Sequence, residues 1–202
     1  MEIKAILFDI GGVLVELNLD SCIRAFREIL GFERITDLLD PSHQKGIYGE
    51  MEAGRLSAQR FRELILAESR PGCVPADVDR AMAALLVGVP PETAQLVKDL
   101  QQRYPLYLLS NNNPISMART WELFRECGID KAFSGQFISW EMQLMKPSAA
   151  CFEEVVRRIG IPAGEILFID DSEANVRAAR SCGLQARYYI PGTELSLLLA
   201  DL

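Results

Sequence analysis

The chain has 202 residues, 49% of them apolar and 24% charged, with a formal net charge of −7. That length holds one catalytic core, or a core with a small inserted domain. An acidic chain without a basic run is a poor partner for nucleic acid, and no apolar stretch reaches the roughly 18–20 residues that span a bilayer. The opening MEIKAILFDIGG has too short an apolar run for a secretory signal. Five scattered cysteines, Cys22, Cys73, Cys127, Cys151 and Cys182, lack CxxC spacing and read as reduced thiols, so a cytoplasmic protein is expected. The lone His43, in a polar stretch, gives a histidine triad or a multi-histidine metal site little to build on.

Ile3 to Phe8 is a short, nearly continuous apolar run that ends at Asp9 and Gly11-Gly12, the pattern of a strand buried on both faces. From Val15 to Gly88 the patterns are helical only: Asp20 to Leu30, Ser57 to Glu68 and Asp77 to Val87. Residues 15–88 are therefore expected to form a small helical cap on a core made of residues 1–14 and 89–202. The core then alternates. Helical patterns at Glu92 to Arg103, Ile115 to Cys127, Ser148 to Ile159 and Ser172 to Cys182 separate strands at Leu106 to Leu109, Phe133 to Ser139, Ile166 to Ile169 and Ala186 to Ile190. Such alternation predicts an α/β fold, a parallel sheet covered by helices on both faces. The closing TELSLLLADL reads as an amphipathic helix or as a patch that meets a second subunit, so monomer and homodimer both stay open.

In open parallel sheets the ligand site lies beyond the carboxyl ends of the strands. Those ends carry Asp9, Ser110-Asn111 and Asp170-Asp171, with Lys146 in a loop before a helix. Each taken alone has an ordinary explanation: a turn residue, a loop former, a surface Lys-Pro turn, or a carboxylate at a helix start. Together they converge. Crowded carboxylates repel one another unless a proton or cation intervenes, and a set of hard oxygen donors suits Mg²⁺, which also favours phosphate-bearing partners.

FDIGGVL, LLSNN, MKP and FIDDSEAN, spread over residues 8 to 175, resemble in order and spacing the four motifs of the haloacid dehalogenase superfamily. The resemblance implies a Rossmann-like, doubly wound core with the first strand central and an α-helical cap inserted after it. It implies Asp9 as a nucleophile that forms an aspartyl-phosphate. It implies Mg²⁺ held by Asp9, the Gly11 carbonyl, Asp170 and Asp171, and a phosphoryl group gripped by Gly11-Gly12, Ser110, Asn111 and Lys146. The expected substrate is a small phosphate ester, with a sugar phosphate favoured. The D-x-G-x-V form of the first motif is similar to that of sugar-1-phosphate phosphatases and of the N-terminal domain of soluble epoxide hydrolases. Rival readings are a metal-independent 2-haloacid dehalogenase and a catalytically weak binding or regulatory protein.

Two positions depart from the pattern. Gly11 stands where most of these phosphatases carry a second Asp that protonates the leaving oxygen, so leaving groups of low pKa are expected to react best. Gln143 stands where a glycine usually precedes the lysine. In the cap, Glu52 and Arg55 of EMEAGRLSAQRF and the nearby Tyr48 are candidate pocket residues, against an equal reading as solvated helix faces with a cap at Ser57. Trp121 and Trp140 read as packing residues.

Overall fold

A computed structural model describes residues 2–38 and 46–202; His43 lies outside them. The core is a five-stranded sheet of β1 (Ala5–Phe8), β4 (Leu106–Ser110), β5 (Phe133–Ile138), β6 (Ile166–Asp170) and β7 (Gln185–Tyr188), in the order β5-β4-β1-β6-β7. Every pairing is parallel. Strand β1 is central, as expected, and the strand order reverses on either side of it.

The alternation of side chains along β1 builds two cores. Ile6 and Phe8 face α5 (Pro91–Leu100) and α6 (Pro114–Cys127), packing with Val97, Leu100 and Phe124. Ala5 and Leu7 face α8 (Ala149–Ile159) and α9 (Glu173–Ser181), packing with Phe152, Val155 and Val176. All four β1 side chains are buried, and a fully buried large apolar side chain stabilises by about 1.5–3 kcal/mol. The apolar run that ends at Asp9 thus anchors the site to a central strand buried on both faces.

Between β1 and α5 the chain forms α1 (Leu19–Ala25), continued by a π-helical turn Phe26–Leu30, then α2 (Gly46–Glu52), α3 (Ala58–Ala67) and α4 (Pro75–Ala83). These helices bury Cys22, Phe26, Tyr48, Phe61, Ile65 and Met82 in a cluster of their own, which Ile115 of α6 joins. The insertion is not purely helical. The helix expected to run to Val87 stops at Ala83, and β3 (Leu86–Gly88) pairs antiparallel with β2 (Glu16–Leu17). The apolar run Leu85-Leu86-Val87 fits either period. Leu86 is buried and Val87 exposed, the alternation of a strand.

The last strand ends at Tyr188 rather than Ile190, and α10 (Leu195–Leu198) is a single turn seated by buried Leu195 and Leu199. Trp121 packs edge-on against Phe124, and Trp140 lies against the β1–α5–α6 core. The cysteines are free. Among the described residues no helix is long and apolar enough to cross a membrane.

Gln143 ends the short helix α7 (Ser139–Met142) in the left-handed conformation, φ 55°, and its N–H donates to the Ser139 carbonyl at 2.7 Å. It adopts the backbone a glycine would, so the loop that leads to Lys146 keeps its turn. An L-residue carries a penalty of roughly 1–2 kcal/mol there, against about 0.5–1 kcal/mol of extra backbone entropy for glycine. Gln143→Gly is therefore expected to stabilise the fold by about 0.5–1 kcal/mol in urea unfolding, with a slope unchanged from the parent. A destabilised variant would show that the Gln143 side chain contributes contacts that outweigh the strain.

Candidate active site

Asp9 follows β1 directly, and Asp170 is the last residue of β6, paired with β1 in register. Ser110 ends β4, the other neighbour of β1. Lys146 reaches the same place from the loop between α7 and α8. Its ammonium lies 2.6 Å from Asp170 Oδ2, 3.0 Å from Asp9 Oδ2 and 3.0 Å from the Leu109 carbonyl. The lysine is 4% exposed and Asp170 is 0% exposed. Carboxylate oxygens of Asp9, Asp170 and Asp171 lie within 4.8 Å of one another.

Each member is held by neighbours. Asp9 Oδ1 accepts from the Ile10 N–H at 2.7 Å. Asp170 Oδ1 accepts from the Ser172 N–H at 2.8 Å, and Asn175 Nδ2 reaches both Asp170 oxygens at 3.0 and 3.1 Å. Ser172 stands at the N-cap of α9, but its hydroxyl makes no cap bond, and its own N–H is the one that Asp170 takes. The Asn111 side chain clamps the lysine backbone in both directions, donating to the Lys146 carbonyl and accepting from its N–H, each at 2.9 Å. The Ser110 hydroxyl, 3% exposed, makes only a long 3.5 Å contact with the Asn111 carbonyl among the described residues. It keeps its donor for another partner.

The turn after Asp9 closes tightly. The Gly12 N–H donates to the Val15 carbonyl at 2.9 Å, and Gly11 bridges to Val15. Gly12 has φ 77°, and a Cβ there would sit 2.1 Å from Asp171 Oδ2. Only glycine lets the turn and the Asp171 carboxylate share this space.

Three carboxylates against one ammonium leave two formal negative charges in excess. Burial raises the Asp9 carboxyl to about 7, opposed by Lys146 and reinforced by Asp170 and Asp171. Burial, then Asp170, lifts Asp171 to about 6 against the pull of Lys146. Burial works against the Lys146 charge, but Asp170 and Asp9 outweigh it and hold that group above its ordinary range. A cluster of hard oxygens with an excess of two negative charges fits one divalent cation of the Mg²⁺ type.

The insertion reaches this site through α2. Glu52 is 7% exposed, and its backbone carbonyl accepts from Ser139 Oγ at 2.6 Å while that oxygen accepts from the Asn112 N–H at 3.0 Å. Gly54, φ 73°, comes so close that a Cβ would lie 2.5 Å from the Trp140 carbonyl. Tyr48 is buried, edge-on to Phe61. Arg55 is exposed and pairs with Glu50 at 2.7 Å, so it follows the solvated-face reading, and Ser57 caps α3 by accepting from the Arg60 N–H at 3.1 Å. Asn175 sits inside the FIDDSEAN motif, the one signal that could have marked it. Ser139 and the side-chain clamp of Asn111 carry no comparable signal.

The family model for haloacid dehalogenase-like hydrolases matches residues 3–183. A D-ribitol-5-phosphate phosphatase of Bacteroides thetaiotaomicron is 28% identical over 192 residues, 91% of this chain and 90% of that protein. A variant of a HAD-family enzyme from the same organism, solved with magnesium and inorganic phosphate, superposes with a TM-score of 0.91 at 30% identity, over 98% of each chain. A HAD-like family hydrolase of Porphyromonas gingivalis gives 0.89 at 31% identity, covering 100% of this chain and 98% of that one.

The raised carboxyls fix a pH dependence. Asp9, Asp171 and Glu52 bind protons more tightly folded than unfolded, at about 7, 6 and 8. Their stabilising contribution is complete below about pH 4 and is lost as pH rises through 6 to 8. The metal-free protein should therefore melt lower at pH 8 than at pH 5. Mg²⁺ binds the ionised carboxylates, so it should raise the melting temperature more at pH 8. At a hundredfold excess over Kd the gain is about 2.7 kcal/mol. Equal shifts at both pH values in calorimetry would place the cation elsewhere.

Proposed function

The chain belongs to the haloacid dehalogenase-like hydrolases, and from that premise we propose that it is a Mg²⁺-dependent phosphatase acting on a small phosphorylated metabolite, with a sugar or polyol phosphate favoured. The observation that carries this reading is the cluster of Asp9, Asp170 and Asp171 around buried Lys146 at the strand ends. The likeness to a D-ribitol-5-phosphate phosphatase and to an enzyme solved with magnesium and phosphate supports it. The likeness to the L-2-haloacid dehalogenase of Xanthobacter autotrophicus, at 20% identity and a TM-score of 0.66, reaches the fold alone.

In this reading residues 15–88 form a cap over a core of residues 1–14 and 89–202. Asp9 attacks phosphorus in line, its oxygen bonding to phosphorus as the ester oxygen leaves. Water then attacks the aspartyl-phosphate, releasing inorganic phosphate and restoring the Asp9 carboxylate. Ser110 Oγ, the Asn111 N–H, the Gly11-Gly12 turn and Lys146 bind the phosphoryl oxygens. Asp9, the Gly11 carbonyl, Asp170 and Asp171 would hold Mg²⁺, which would neutralise phosphoryl charge and orient the ester. Lys146 is poised for its part because the carboxylates keep it charged in a dry site, where an ammonium acts strongly on a nearby anion.

Asp9→Asn removes the nucleophile and is expected to lower phosphate release by about 10⁴-fold or more. Asp171→Asn should raise the Mg²⁺ concentration needed for half-maximal rate at least about tenfold while the fold persists. Asp170 is the poorer probe, since its loss leaves a buried ammonium short of a partner at a cost of about 3–5 kcal/mol. Full turnover by Asp9→Asn, or by the parent after exhaustive chelation, would contradict the reading.

A further inference from the structure

A phosphoryl transfer to Asp9 leaves one task unassigned. An alkyl ester expels an alkoxide, a poor leaving group unless it takes up a proton as the P–O bond breaks. Gly11 supplies no side chain, and a Cβ there would already press on Leu17 Cδ1 at 3.1 Å. The three aspartates are committed to nucleophile and cation, and Lys146 is bound by two carboxylates and a carbonyl. Burial raises the Tyr48 hydroxyl well above its ordinary range, against a smaller lowering by Ser116 and Asn113. Among the described residues one buried ionisable group remains beside the cluster. Glu52 closes α2 and is nine-tenths buried, and among the described residues nothing hydrogen-bonds its carboxyl. It is near enough to Asp9 and Lys146 for both to act on its charge.

Its position is fixed from the core side. Ser139 follows β5 and grips the Glu52 carbonyl, while Asn112 of the β4–α6 loop donates to the same Ser139 oxygen. The glycine turn after α2 presses on Trp140. In the phosphatase reading the phosphoryl group sits at the strand ends, and Ser139, directly after one of those strands, holds the end of the helix that carries Glu52 against them.

We infer that Glu52 is the proton donor and acceptor of the reaction, standing in for the side chain that Gly11 lacks. The inference rests on the phosphatase reading above. As Asp9 bonds to phosphorus, the leaving oxygen takes the Glu52 proton and departs as an alcohol, leaving a carboxylate. That carboxylate then takes a proton from the attacking water, phosphate leaves Asp9, and both acids return to their starting states. Burial first, and then the Asp9 charge, lift the Glu52 carboxyl to about 8 against Lys146 in the metal-free protein, a shift that favours the protonated form. From Gly11 alone leaving groups of low pKa are expected to react best; with Glu52 as donor, alkyl esters are expected to react as well.

The test compares kcat/KM for 4-nitrophenyl phosphate and for a primary alkyl phosphate in the parent and in Glu52→Gln. This constant covers phosphoryl transfer and not the later hydrolysis, so it isolates leaving-group departure. General acid catalysis is worth about 10²–10⁴-fold, so the nitrophenyl-to-alkyl ratio should rise about 100-fold or more in the variant. An unchanged ratio, whether both rates fall together or neither falls, overturns the assignment. If Glu52→Gln does not fold, the parent decides: log kcat/KM against leaving-group pKa should be shallow across aryl and alkyl phosphates, and a steep plot overturns it. A parent inactive on every phosphate ester would instead overturn the phosphatase reading.

Discussion

Three carboxylates must be kept together around a single buried ammonium, and the rest of the structure answers to that constraint. Left to themselves, like charges a few ångströms apart in a dry site separate or take up protons. Here they are prevented from separating. Asp9 and Asp170 extend from adjacent strands whose register is fixed by a two-faced core, and Asp171 is fitted against a glycine with no side chain to displace it. What relieves the repulsion is Lys146, and a cation where the excess charge remains.

The lysine is placed by means that are mostly polar and long-range. Asn111 holds its backbone, the Leu109 carbonyl and two carboxylates hold its tip, and a left-handed turn at Gln143 brings the chain in. Buried polar networks of this kind are costly when incomplete. Among the described residues one buried side-chain atom lacks a partner, Gln136 Oε1 of β5, in the sheet's edge strand rather than among the charged groups. The same logic governs the insertion. Ser139 joins α2 to two core loops, so the helix that closes over the strand ends is positioned by the elements that bear the charged cluster.

Much of this could be read in advance where burial writes a simple pattern. β1, β4 and β6 are covered on both faces, so they appear as unbroken apolar runs, and the residues that stop those runs are the ones that meet at the site. The β2–β3 ribbon was not legible, because Leu85-Leu86-Val87 fits a helix end as well as a strand. Nor were the connections that hold the site. Asn111 and Lys146 are 35 residues apart, and Ser139 and Glu52 are 87 apart, and no local pattern announces such a pair. Glu52 was readable as a candidate for the pocket, but its burial depends on a helix end lying against the core rather than on any periodicity of its own. Asn175 was visible as part of a motif and silent as to its partner until Asp170 was seen to accept from it.

The central claim is that Asp9, held in this cluster, becomes covalently bonded to phosphorus. Acid quenching of the parent during turnover of a phosphate ester, followed by mass spectrometry of the peptide that contains Asp9, tests it most directly. This peptide, and no other, is expected to carry the mass of one phosphoryl group, and the adduct is expected to disappear once the substrate is consumed. Steady release of phosphate with no adduct on Asp9 at any quench time, or an adduct on another residue, would contradict it.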